Sequence, residues 1–290
     1  MITFNDFCKK TFGQKVYKLN LNGGMTCPNR DGKVGTGGCV FCSAGGSGEF
    51  TPSPSMPVEE QIERAKQLVS KKYRGEKYIA YFQAFSNTYA PVSYLRKLYE
   101  SVMTRNDIVC LDIATRPDCL GDDVTGLISE LNCVKPVWVE LGLQTSNPDS
   151  VKYIRRGYEN GVYADAVKRL NAAGVHTVTH IILGLPGEST DDMVNSVRYA
   201  VECGTKGIKL QLLHVLEGTD LADDYRAGSF ETLSLDMYIE ILRKCISVLP
   251  EEIVVHRLTG DGPKKLLIAP LWSADKKKVL NRIKKELGRE

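Results

Sequence analysis

Short runs of apolar, β-branched and aromatic residues punctuate this chain. Between them lie longer stretches in which apolar positions recur every three to four residues. The runs at 17–21, 78–83, 109–114, 137–143, 177–183 and 208–215 predict strands. Most are near-continuous apolar runs rather than strict alternations, the pattern of strands buried in a parallel sheet. The intervening stretches predict helices. Behind Pro57, a good first helical residue, Val58, Ile62, Ala65, Leu68 and Val69 form one stripe. Gly174 stops a helix ending at 171–173, and Ser189 with Asp192 makes a capping box for one ending near Gly204. Strand-to-strand intervals of about 30–60 residues leave room for crossover helices. Six β/α units result, with a candidate seventh strand at 253–256 and one helix appended after Pro270. Right-handed crossovers wrap successive strands one way. The expected class is therefore α/β, a partial (β/α)6 barrel with a C-terminal helical extension. Residues 1–250 are expected to form the core with an N-terminal lead-in. Residues 251–290 form the extension, with no independent second domain.

Composition narrows this little: 290 residues, 42% hydrophobic and 25% charged, describe a globular protein and exclude disordered and fibrous classes. No apolar run approaches the roughly 18–20 residues of a membrane span. The N-terminal MITFNDFCKKTFG lacks a signal core, so a cytoplasmic location with no membrane partner is expected. In that compartment nine cysteines read as core thiols or metal ligands rather than disulfides. The net charge of +3 is uneven. Residues 264–290 hold nine Lys/Arg against three acids, a net of +6, which leaves −3 on the rest. A basic tail on a near-neutral body fits a polyanion partner, and equally a solvated helix face.

In parallel α/β folds the chemistry collects at the carboxyl ends of the strands. After the first strand the chain reads CPNRDGKVGTGGCVFC, placing Cys27, Cys39 and Cys42 at C-x11-C-x2-C spacing. Nine of the 26 glycines fall within residues 23–48, so this loop turns tightly and exposes backbone N–H groups. Three clustered thiolates leave one coordination corner vacant. An iron–sulfur cube with one iron open to a small molecule meets that description. A structural zinc site would need a fourth ligand brought by the fold, such as Cys8, His180 or His214. The other six cysteines are scattered singly.

These residues resemble the radical S-adenosylmethionine (SAM) enzymes, over nearly the whole chain. CPNRDG with GGCVFC resembles the YhcC-like/MnmL-type branch, related to the catalytic subunit of Elongator. FQAFSNTYAP, IATRPDCL, ELGLQTS, HIILGLPGES and PLWSADKKKVLNRIKKEL follow in the same order. The resemblance implies a partial (β/α)6 radical SAM barrel binding a [4Fe–4S] cluster through Cys27, Cys39 and Cys42. It implies SAM contacts from Phe41 against the adenine, Asn87 and Thr88 near the amino group, and Gln144 near the ribose. Arg156 would meet the carboxylate, with Arg155 beside it as the alternative. Relatives carry acids where this chain has Ala114 and His180, so His180 becomes a candidate ribose donor. Glu140 is expected as a buried partner of an arginine, Asp118 as a helix cap, and Tyr89 as a residue of the pocket mouth. The implied activity is modification of the tRNA wobble uridine, from 5-carboxymethylaminomethyluridine to 5-aminomethyluridine. A reductant such as flavodoxin or ferredoxin would supply electrons. Only about 75 residues follow the sixth strand, too few for an appended catalytic domain of ordinary size. The alternatives are a small-molecule or peptide substrate, or a non-catalytic zinc module that binds RNA.

Overall fold

The computed structural model describes residues 1–260 and 262–288. Asp261, and Arg289 and Glu290 of the basic tail, lie outside the described residues. The strands, in chain order, are β1 (Ile2–Thr3), β2 (Tyr17–Leu21), β3 (Tyr78–Phe82), β4 (Ile108–Thr115), β5 (Val137–Gln144), β6 (His176–Leu183), β7 (Gly207–Leu212), β8 (Val215–Leu216), β9 (Val254–Arg257) and β10 (Leu267–Ala269). Eight of them form one parallel sheet in the order β1-β9-β7-β6-β5-β4-β3-β2. It curls into a half-barrel whose edge strands β1 and β2 remain unpaired with each other. The helices are α1 (Phe4–Phe12), α2 (Val58–Val69), α3 (Val92–Met103), α4 (Asp122–Asn132), α5 (Pro148–Tyr153), α6 (Asn160–Ala172), α7 (Thr190–Glu202), α8 (Asp220–Arg226), α9 (Leu235–Ser247) and α10 (Lys276–Glu286).

The six expected strands form, and the candidate seventh is β9. Three details differ from the expectation. β1 is two residues long, too short to show a period, and exists because Ile2 and Thr3 lie beside Val254 and Val255. The run at 208–215 breaks after Leu212, and β8 pairs antiparallel with β10 in a separate ribbon. β9 falls within residues 251–290 yet sits between β7 and β1, so the sheet crosses residue 250. The Ser189 capping box forms, and Gly174 takes a left-handed φ of 68°. Pro57 is the N-cap of α2 rather than its first residue.

The sheet has two distinct faces. Leu19, Leu21, Ile113, Ile208 and Leu210 point outward and join the main core beneath the helices. Lys18, Tyr81, Asp112, Glu140, His180 and Lys209 meet one another in the lumen. α1 closes the amino-terminal end, where Phe4, Phe7 and Phe12 pack on Cys8, Val16, Ile79, Cys110 and Trp138. α10 lies on α9 and buries Val279 and Ile283 in the main core. Among the described residues no helix is long and apolar enough to cross a membrane.

Candidate functional site

The loop joining β2 to α2 leaves the carboxyl end of β2 and covers the open top of the half-barrel. Its cysteines sit in tight turns. The Arg30 N–H donates to Cys27 O at 2.8 Å, and the Cys42 N–H to Cys39 O at 2.9 Å. Asn29 Nδ2 donates to Cys39 Sγ at 3.6 Å and to Arg155 O at 2.7 Å. Arg30 Nη2 fastens the far side, donating to Cys42 O at 3.0 Å and Ser43 O at 2.6 Å. Gly46, at φ 55°, lies against Phe85; a Cβ there would stand 2.3 Å from the ring, so only glycine fits. Cys27, Cys39 and Cys42 line one cavity of about 850 Å³, together with Phe41, Gln144 and His180. A hydrogen bond with the Cys42 thiol, helped by the Arg116 and Arg30 charges, lowers Cys39 to about 7 against the opposing effect of burial. Cys42, its partner, is raised by that bond and by burial.

The structure brings seven of the nine expected site residues to this cavity: the three cysteines, Phe41, Gln144, Arg156 and His180. Gln144 ends β5 at φ 63°, with its Oε1 buried and lacking a hydrogen-bond partner among the described residues. Gly142 leaves room for this side chain: a Cβ there would stand 2.7 Å from Gln144 Nε2 and oblige the amide to shift. Asn87 is buried behind the wall, its Nδ2 donating to Phe82 O and Ala114 O. The residue facing the cavity from that turn is Ser86, whose Oγ has no partner. The Thr88 hydroxyl bonds to Thr115 Oγ1 and Cys119 O, facing away. Arg156 borders the cavity, but all five of its N–H donors are taken. They go to Leu143 O, Thr145 O, Tyr158 O (twice) and Asn160 Oδ1. A carboxylate could bind it only by displacing one of these, and its present work is to brace the end of β5. Arg155 points away and pairs with Asp220. Asp118 accepts from Arg116 Nε at 2.9 Å and Nη2 at 2.7 Å rather than capping a helix. Tyr89 lies in a different depression, beneath Lys33.

Beneath the cavity lies a charge network that sequence reasoning missed. Glu140 is fully buried; its Oε1 accepts from Lys18 Nζ at 2.7 Å. Its Oε2 accepts from Tyr81 OH and pairs with His180 Nε2, both at 2.7 Å, and also accepts from Lys209 Nζ. Lys18 bridges to Asp112 as well. Burial alone would raise Glu140, but Lys18, Lys209 and His180 outweigh it and hold the carboxyl well below its ordinary range. Burial and then the Glu140 charge push Asp112 up to about 7, while burial draws Lys209 down to about 7. Burial, followed by the Lys209 charge, lowers His180, which keeps its ring neutral. The expected partner of Glu140 was an arginine; its partners are two lysines, a tyrosine and a histidine. A signal was present in KLNL and IKLQL, where polar residues alternate with leucines.

Two metal groups were left open by the sequence, and the donor set separates them. Among the described residues no three His, Cys, Asp or Glu side chains converge on a point that a single ion could occupy. Zinc needs four ligands about 2.0–2.3 Å from one ion, so that alternative lacks support. In a cubane each thiolate binds its own iron, and the three need only share a cavity, as they do. The unpartnered Gln144 Oε1 and Ser86 Oγ are acceptors left over for a small molecule beside them.

The family model described as the radical SAM superfamily matches residues 29–200, and the Radical_SAM C-terminal domain matches 205–289. YtqA of Bacillus subtilis is 45% identical over 285 residues, covering 98% of this chain and 88% of that protein. YhcC of Escherichia coli is 36% identical, covering 91% and 84%. The tRNA uridine(34) acetyltransferase of Methanocaldococcus jannaschii is 25% identical over 163 residues, 55% of this chain and 30% of that one. In fold, the solved Elp3 of Methanocaldococcus infernus, lacking residues 1–46, superposes with a TM-score of 0.66 at 17% identity. This match covers 91% of the chain and 63% of that one.

Proposed function

Because the chain belongs to the radical SAM superfamily, in its YhcC-like branch, we propose that it converts 5-carboxymethylaminomethyluridine to 5-aminomethyluridine at the tRNA wobble position. It is an enzyme, and its cofactors are a [4Fe–4S] cluster and SAM. We assign Cys27, Cys39 and Cys42 to the cluster, and Phe41, Gln144 and His180 to the wall that meets SAM. When bound, these cofactors supply a 5′-deoxyadenosyl radical that takes hydrogen from the substrate side chain. The chain orients and dries the site. Burial and the Lys209 charge keep His180 neutral while Glu140 fixes one ring nitrogen, Gln144 presents a carbonyl oxygen, and Phe41 lies between the cofactor cavity and the outer mouth.

The observation that carries the reading is the cysteine trio sharing one cavity over the half-barrel. Similarity to a tRNA uridine(34) acetyltransferase supports tRNA as the substrate class. So do the exposed lysines 276, 277, 278, 284 and 285 on α10. Reduction of the cluster calls for a donor such as flavodoxin or ferredoxin. The test is mass spectrometry of tRNA nucleosides after anaerobic incubation with SAM and a reductant. 5-Aminomethyluridine should replace 5-carboxymethylaminomethyluridine, and Cys42→Ala should abolish both this and SAM cleavage. SAM cleavage with unaltered tRNA would move the substrate to a small molecule or peptide. Zinc in place of iron would end the enzymatic reading.

A further inference from the structure

Among the described residues, the lumen holds a cation that the Glu140 network leaves unused. Arg257 ends β9 beside Lys209 of β7. Half-buried, it lines the mouth cavity with Gln83, Gln211 and His214, and also the cavity below with Lys18 and Lys209. Among the described residues its guanidinium makes no hydrogen bond, and no carboxylate oxygen lies within 4.0 Å. Glu49, the carboxylate lining the mouth, accepts from the Ser43 hydroxyl. The remaining charges do not balance. Among the described residues of the lumen, Lys18, Lys209 and Arg257 are three cations facing two carboxylates, Asp112 and Glu140. If Asp112 takes the Lys209 proton, each side loses one charge and the positive excess remains. A partly desolvated cation without a counterion is costly, and a guanidinium fork matches a carboxylate with two parallel hydrogen bonds.

We propose that Arg257 is the specificity-determining residue that receives the carboxylate of the substrate side chain. The assignment rests on the wobble-uridine reading, in which the substrate carries a carboxymethyl group and the product does not. Arg257 is well placed for this, because Phe41, Ser47 and Gln83 line both the mouth cavity and the cysteine cavity. An anion held by Arg257 therefore lies next to the cofactor pocket. Product, stripped of that charge, loses the contact and leaves.

The test uses two purified tRNAs that differ only in carrying 5-carboxymethylaminomethyluridine or 5-aminomethyluridine. Each is bound to reconstituted wild-type protein, Arg257→Gln and Arg257→Lys, with iron content and circular dichroism checking that the variants are folded. A charge-assisted hydrogen bond contributes about 1.5–3 kcal/mol. Wild type should therefore favour the carboxylate-bearing tRNA by about tenfold or more. Arg257→Gln should bind the two alike, and Arg257→Lys should keep an intermediate preference. Wild type without a preference, or Arg257→Gln with an undiminished one, overturns the assignment while the reaction stands. A parallel turnover assay in which wild type converts no 5-carboxymethylaminomethyluridine overturns the reaction, and the role of Arg257 with it.

Discussion

Glu140 is the residue on which the lumen depends. Two lysines, a tyrosine and a histidine converge on its two oxygens, and none of the five side chains is more than slightly exposed. Removing one partner of a buried ion pair is expensive because the other stays charged and dry, whereas replacing both with apolar groups is close to neutral. Glu140→Gln keeps the shape and removes the charge, leaving Asp112 as the sole carboxylate facing Lys18 and Lys209. It should lower unfolding free energy by about 3–5 kcal/mol, measured by guanidinium titration. Glu140→Gln combined with Lys209→Met should recover much of that loss. A single variant within about 0.5 kcal/mol of wild type would show that the network is not a stability element.

At the scale of elements, α1 is the plug that closes the amino-terminal end. Phe7 stacks on His176 with centroids 4.9 Å apart, and His176 Nε2 meets His256 Nε2 at 3.3 Å against Trp138. Burial, then the Lys18 charge, lowers His176 from 6.5 to about 4, and burial lowers His256 in the same direction. The unfolded chain then binds protons that the folded chain refuses. This contribution to stability is complete above about 6.5 and is lost as pH falls through about 4. For His176 alone the loss reaches about 2 kcal/mol by pH 5. The double variant His176→Phe and His256→Phe should lose less between pH 7 and 5, compared by denaturant midpoints. An identical loss in both proteins would place the acid sensitivity elsewhere. The six strands around this plug were legible because their outward residues are apolar over five or more positions. β1 was not, since two residues carry no period. The cysteine trio was legible because its three members lie close together in sequence. Glu140 was read as a buried ion-pair partner, but Lys18, Asp112, Lys209 and Arg257 were not read at all: they are single polar residues up to 239 positions apart, and only the curl of the sheet makes neighbours of them. The hydrogen bonds that occupy Arg156 were not legible either, because twelve-residue spacing from Gln144 says nothing about how many carbonyls already surround a guanidinium.

Across the whole molecule, one stretch of chain links the lumen to the basic surface. β9 carries Arg257 inward, residues 260, 262 and 263 border the mouth, Lys264 and Lys265 follow, and α10 presents its lysines outside. A tRNA could thus place its modified base at the mouth while its backbone lies along α10, since loop bases splay out readily. Deleting 275–290 is a poor test of this, because it also strips Val279 and Ile283 from the core on α9. Changing Lys277, Lys278, Lys284 and Lys285 to Gln leaves those contacts in place, since all four are exposed. The quadruple variant should keep the wild-type melting temperature within a few degrees, yet bind tRNA more weakly. Its plot of log K against log salt should be shallower by about 0.7–0.9 for each phosphate contact removed. The loss should be the same for tRNAs with and without the carboxymethyl group, because phosphates carry no information about the base. Unchanged affinity and salt slope would make the basic face of α10 a solvated surface, and tRNA would have to approach the mouth from another side.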